Sequence, residues 1–464
     1  MHHVLKIVSR VLVAVVPSTA VAVSSIITLV QTGPAHGQQL SDVLIKVYDY
    51  NPTILAARAE LEQINELVPQ ARTTFLPTLG LSRSYSRENT NAVSEGNTSG
   101  ADTRTDTLSV SQSILNLANS AAIKKAEYDV NAQRGRLRAS EQTVLLQAIT
   151  SYLNVLRTSN IVKLRENNVA VLKAHLQSVQ VQYDLRRRTN ADLAQSKSRL
   201  EKGRADRATA KGDYDKAVSQ YIQIVGMAPD KLKIPTFNFK LPTDIEEAGK
   251  LAIQDHPTVL AAKWAIDGAK ADIDSKQGAR APNLALSGSI ANSNVNNRIA
   301  DNSETLTSTV AMTLTIPIFQ AGAEFSNVRT AKKALRQRRY EYDQARRVAR
   351  DNARQAWEDR TSAKAKVKAF SSQIVAAKTA LKGITAELEV GRRTVLDLLD
   401  SEQELLDAEV NLATAQRDDM VARFTILERT GRLSAQHLNL DLAPYNPDLD
   451  LNKQSWNFYS TSVK

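Results

Sequence analysis

Gly391-Arg392-Arg393-Thr394-Val395-Leu396-Asp397-Leu398-Leu399-Asp400-Ser401 lies between two long segments of heptad character. Before it, Val367, Phe370, Ile374, Ala377, Leu381, Ile384 and Leu388 step by three and four; after it, Leu398, Leu405 and Leu412 step by seven. A sustained step of this kind describes a helix packed along its length on other helices. The stretch between is therefore the tip of a helical hairpin, and Asp397 and Asp400, three apart, share one face of the returning helix.

The same element occurs upstream. Val169, Leu172, Leu176, Val179 and Tyr183 keep the register and run into Arg187-Arg188-Thr189-Asn190-Ala191-Asp192-Leu193. An offset of 205 residues maps Ile374 onto Val169, Thr394 onto Thr189 and Asp397 onto Asp192. The offset extends well beyond the tips. Asn51-Pro52 and His256-Pro257 open the two copies, and Pro77 and Pro282 break each opening helix.

Each copy then changes period. Leu79 and Leu81 alternate with Gly80, Ser82 and Ser84, and Leu108, Val110 and Ile114 with Ser109, Ser111 and Ser113. In the second copy Leu284, Leu286 and Ile290 alternate with Ala285, Ser287 and Ser289, and Leu306, Val310, Met312, Leu314 and Ile316 with a row of threonines. A period of two predicts strands, at about 77–88, 105–115, 282–292 and 305–318, with polar loops at Asn89–Arg104 and Asn292–Ser303. Leu40 to about Thr73 is helical by pattern. Long helices are expected at about 119–187 and 322–388, the first about 100 Å long at 1.5 Å per residue, with tips at about 186–192 and 389–400 and return helices after them. The first repeat thus spans 38–226, a proline-bearing connector 227–243, the second repeat 244–431, and a tail 432–464.

Small polar residues on one strand face and aliphatics on the other cannot fill an interior. They suit a barrel with lipid outside and water inside. Four strands cannot close such a barrel alone but can in an oligomer. The fold class expected is mainly α with a membrane β-barrel.

Bulk properties narrow the function. Aromatic residues make up only 5% of the chain, which suits extended helices better than one thick core. The absence of cysteine excludes disulfides, thiolate metal sites, a Cys nucleophile and a lipidated N-terminal Cys. The net charge of +11 is concentrated between Arg329 and Arg354, where Glu341, Asp343 and Asp351 interrupt the run; with no nucleic-acid motif beside it, no nucleic-acid partner is expected. No ligand-spaced His/Asp/Glu set, phosphate-binding glycine loop or nucleophile constellation is present, so neither an enzyme nor a cofactor is expected. Lys6 and Arg10, the apolar run Val11–Val30 and Ala35-His36-Gly37 make residues 1–37 a secretory signal, a retained anchor being the alternative. No other stretch is long and apolar enough to span a bilayer as a helix, so any further crossing must use strands.

The tandem repeat, the paired prolines, Ile316-Pro317-Ile318-Phe319 followed by Gly322, and above all the second tip resemble the TolC family of outer-membrane channel proteins. The resemblance covers nearly the whole mature chain. It implies a homotrimer whose twelve strands form an outer-membrane barrel and whose long helical hairpins form a periplasmic α-barrel tunnel, closed at its tip at rest. It also implies export of proteins or small molecules together with an inner-membrane transporter, ABC-type or proton-driven, and a periplasmic adaptor. A pore-less periplasmic adaptor or scaffold is the alternative. By the family's pattern Asp397 and Asp400 line the pore constriction, six carboxylates in a trimer, and Asp192 and Arg393 belong to a polar network that holds the tip closed. Two positions depart from that pattern: Leu388 stands where a tyrosine is common, and Arg186 where a glycine is. Helix capping explains part of the same residues, because Thr189 with Asp192 and Thr394 with Asp397 both read as capping boxes. It leaves out Asp400, whose repeat partner is Gln195.

Overall fold

The computed structural model describes residues 38–91, 98–235, 239–297, 301–442 and 445–447. The expected signal at 1–37 and most of the tail lie outside the described residues. The helical stretch that begins at Leu40 forms three pieces, α1 (Leu40–Tyr50), α2 (Pro52–Asn65) and α3 (Leu67–Thr73). Pro52 starts α2 afresh at a position where its missing N–H costs nothing, and the Asn51 side chain accepts from the Thr53 N–H at 2.9 Å. Strands β1 (Thr78–Asn91) and β2 (Thr98–Leu115) follow, then α4 (Leu117–Asp184) and its return α5 (Asn190–Val225). The second repeat gives α6 (Ile245–Asp255), α7 (Pro257–Gly278), β3 (Asn283–Asn297), β4 (Ser303–Thr315), α8 (Ala323–Glu389) and α9 (Val395–Arg429). His256 takes the place of Asn51, capping α7 through Nδ1, which accepts from the Thr258 N–H at 3.3 Å. Burial pushes its pKa down to about 4, so it caps as a neutral imidazole.

The strands form one antiparallel sheet in the order β1-β2-β3-β4. Residues paired across antiparallel strands share a face. The pairs Leu79–Val110, Leu81–Leu108, Leu108–Ile290, Leu286–Met312 and Leu284–Leu314 therefore build one aliphatic face. The pairs Ser82–Thr107, Gly80–Ser109, Ser109–Ser289 and Ser289–Thr309 build a hydroxyl face behind it. The aliphatics stay exposed, Leu81 at 80% and Val310 at 83%. From Leu306 to Leu314 they cover about 27 Å of strand, roughly 20 Å of barrel height at the usual tilt.

Strands β1, β2 and β3 reach further than the apolar alternation, whereas β4 ends at Thr315, short of the 318 expected, just before Pro317, which has no N–H for the ladder. β1 continues to Asn91 and β2 starts at Thr98, so most of the loop expected at Asn89–Arg104 is strand, as is much of that expected at Asn292–Ser303. Ladder hydrogen bonds are made by the backbone and need no apolar side chains. Beyond the aliphatic band, charged cross-strand pairs, Arg83 with Asp106 and Arg87 with Asp102, continue the pairing.

The thickest core lies midway along the long helices. Val43, Leu44 and Val47 of α1, Ile149 and Tyr152 of α4, Tyr221 of α5, Phe424 and Leu427 of α9, and Leu433 of the tail are buried together. The Tyr152 hydroxyl lies 2.9 and 2.6 Å from the Gln38 and Lys233 carbonyls, tying both flanking segments to α4. Gly226 and Gly431, repeat equivalents, both end return helices with positive φ, at 82° and 75°. Their surroundings differ. A Cβ at Gly226 would meet nothing within 4 Å, whereas one at Gly431 would sit 2.4 Å from the Asp255 carbonyl oxygen. Gly226→Ala is accordingly expected to cost about 1 kcal/mol. Gly431→Ala adds an overpacking cost, for about 3 kcal/mol in all. Thermal unfolding of the two variants side by side checks the difference.

Candidate functional site: the hairpin tips

α4 and α8 are 68 and 67 residues long, about 100 Å each, and each separates a strand hairpin from a tip. At both tips the chain turns through a left-handed residue, Arg186 (φ 59°) in the first and Gly391 (φ 76°) in the second. An L side chain there is strained by about 1–2 kcal/mol, so the first tip holds with arginine what the second holds freely with glycine. Both return helices start with a capping box. Thr189 Oγ1 accepts from the Asp192 N–H and Asp192 Oδ2 accepts from the Thr189 N–H, at 3.2 and 3.0 Å. Thr394 and Asp397 repeat the arrangement at 3.2 and 2.9 Å. These hydrogen bonds favour the carboxylate and hold both aspartates below the usual range. At Asp397 the bonds from the Thr394 N–H and hydroxyl both land on Oδ2, and Oδ1 accepts no hydrogen bond among the described residues.

The heptad stripes meet where their pattern puts them. Leu172 and Val179 of α4, Leu200 of α5 and Val395 and Leu399 of α9 are buried together, with Leu388 of α8 packed against them. Leu388 therefore occupies the family's tyrosine position as an apolar contact. This core joins the two repeats at the tip, and α9 lies against both α8 and α4.

Around it the structure places polar links between the repeats. Asp400 accepts from Arg199 of α5 at 2.5 Å. Glu402 and His175 of α4 are 2.7 Å apart. Arg165 of α4 lies 3.5 Å from Asp206 of α5 and 4.0 Å from Asp407 of α9. The Glu402 hydrogen bond raises the His175 pKa above its ordinary value, against the opposing effect of burial. Asp192 and Arg393 are not bonded to each other: Asp192 is engaged with Thr189, and Arg393 with Glu387 at 2.8 Å, which raises the arginine's pKa. Arg199, His175, Glu402, Arg165 and Asp407 did not stand out in the sequence. Their only signal is opposite charge on separate helices, and periodicity does not say which helices are neighbours.

Residues 46–227 and 248–432 match the sequence profile of outer membrane efflux proteins, one segment per repeat. The chain is 31% identical to the outer membrane efflux protein BepC of Brucella suis biovar 1 (strain 1330), over 90% of this chain and 91% of that protein. It is 24% identical to the outer membrane protein TolC of Escherichia coli (strain K12), over 85% and 83%. Its fold is similar to the Campylobacter jejuni CmeC outer membrane channel, with a TM-score of 0.76 at 16% identity, covering 90% of this chain and 89% of that one. With the repeat, the two-faced sheet and the helical hairpins in place, these matches establish that the chain belongs to the outer membrane efflux protein family, the TolC-type channels of the outer membrane, which are transport proteins and not enzymes.

Proposed function

We propose that the chain is one of three subunits of an export channel whose periplasmic entrance is the ring of tips, gated by Asp400 with Arg199 and Glu402 with His175. The sheet supports closure by copies. β1 and β4 each keep one free edge, and in an up-down sheet of four strands the β4 of one copy meets the β1 of the next antiparallel. Free edges cannot face lipid, and three copies supply twelve strands. The hydroxyl face then lines a wet lumen and the aliphatic face meets the outer-membrane lipid.

The observation that carries the gate is the position of α9. It packs on α8 of its own repeat and on α4 of the other, so swinging the second hairpin outward must break the Asp400–Arg199 and Glu402–His175 contacts. Asp397, whose Oδ1 accepts no hydrogen bond among the described residues, and Asp400, whose side chain is 57% exposed, bring two carboxylates per copy to the entrance. A ring of carboxylates favours cations over anions. Capping and constriction are compatible at Asp397, because the cap uses one oxygen. Contact with a periplasmic adaptor and an inner-membrane transporter supplies the energy that opens the tip; the exposed arginines Arg186, Arg187 and Arg392 offer an acidic surface its counter-charge.

Single-channel recording in planar bilayers tests this reading. The wild-type protein is expected to form cation-selective pores. Asp397→Ala with Asp400→Ala is expected to lower the cation preference severalfold and to remove block by divalent ions. Pores whose selectivity ignores both substitutions would leave Asp397 as a helix cap and Asp400 as the partner of Arg199, with no constriction at either.

A further inference from the structure

The basic run of α8 is not used by the gate, which lies at the far end of the same helix. Only some of its residues are paired. Arg338, Arg346, Arg350 and Arg354 have carboxylate partners in Glu341, Asp343 and Glu246. Arg329, Lys332, Lys333 and Arg336, nearest the sheet, are exposed and have none among the described residues. Arg339 and Arg347, further along the helix, are also exposed without a carboxylate partner among the described residues, so the uncompensated charge is densest, though not confined, at the end closest to the barrel.

Phe325, Arg329, Lys332 and Arg336 recur at i, i+4, i+7 and i+11, which is one helix face. That face lies about a quarter-turn from the row Val328, Ala331 and Leu335 that packs on the rest of the chain. It begins with exposed hydrocarbon, Ile318 at 93%, Phe319 at 74% and Phe325 at 44%, continuing the aliphatic band of β4. The Arg280 guanidinium, from the end of α7, lies 4.4 Å from the centre of the Phe325 ring. Arg329 and Lys332 stand about 6 and 10 Å below Phe325 along the helix. That is within reach of a headgroup layer some 5–8 Å deep for side chains that extend their charged ends along apolar surface.

We propose that Arg280, Arg329 and Lys332, with Phe325 and Phe319 above them, form a binding surface for anionic phospholipid headgroups in the periplasmic leaflet of the outer membrane. The aromatic rings meet the acyl chains and the bases meet the phosphates. The surface fixes the height of the barrel in the bilayer and rests on the outer-membrane location of the chain, independently of how the tip is gated. The occupant is a lipid, rather than a soluble anion, because the bases follow directly from the exposed ring of Phe325 on the same helix face and from exposed Ile318 and Phe319 just before the helix.

The test is native mass spectrometry of the assembled full-length protein in micelles carrying equal phosphatidylglycerol and phosphatidylcholine. The wild-type protein is expected to retain phosphatidylglycerol preferentially. Arg329→Gln with Lys332→Gln is expected to lose about fivefold in that preference per charge, about 25-fold together. Equal retention of both lipids by the wild type, which needs no variant, overturns the proposal. So does unchanged preference in the double variant, or displacement of the lipid by millimolar inorganic phosphate, which would mark a plain anion site. If the variant keeps its lipid preference but its pores change in anion selectivity, the stripe lines the tunnel and the proposal fails, while pore formation itself still reports separately on the channel.

Discussion

Arg199→Ala is expected to open the tip at rest. The Arg199–Asp400 pair is partly exposed, the side chains at 27% and 57%, so each pair is worth no more than about 1 kcal/mol. In a closed ring of three the effect multiplies. Three pairs sum to about 3 kcal/mol, roughly a hundredfold in the closed-to-open ratio. A channel shut nearly all the time would then show frequent large openings in planar bilayers. Asp400→Ala should act in the same direction, and the double variant should be no more open than the more open single variant, since both remove one contact. The exchange Arg199→Asp with Asp400→Arg should restore closure. Additive single effects, or an exchange that stays open, would mean that the pair does not hold the gate.

The second large effect is a dependence on pH. His175 has a folded pKa above its ordinary 6.5, because Glu402 stabilises the imidazolium. A raised folded pKa means a contribution fully present below the unfolded value and lost as pH rises through the folded one. The charged group that acts on this imidazole is Glu402 on α9. Open probability of the wild-type channel should therefore rise as pH climbs above the ordinary histidine value of 6.5. His175→Gln keeps a hydrogen-bonding group without the titration and should flatten that rise. A variant with the same pH profile as wild type would remove His175 from the gate.

Both expectations concern contacts between repeats, and these were the least legible part of the sequence. The 205-residue offset, the paired prolines, the long helices and the two-faced strands could all be read from residue order. Each depends on the local period of side chains along a helix or strand, which covalent geometry sets. The capping boxes at Thr189 and Thr394 could be read for the same reason, their partners being three residues apart. Strand ends are less legible: the outer ends of β1 and β2 are held by backbone pairing and by Arg83–Asp106 and Arg87–Asp102 after the apolar alternation stops, while β4 stops at Thr315 before the expected 318. Asp400 stood out as an acid that capping could not explain, yet nothing local joined it to Arg199, 201 residues away, or Glu402 to His175, 227 residues away. By itself the sequence determined the repeat, the two strand faces and the place of the tips. Which carboxylate meets which base was decided only when the tertiary structure laid α9 between α8 and α4, because the partner of a charge depends on which helices lie side by side, and no periodicity within one helix records its neighbours.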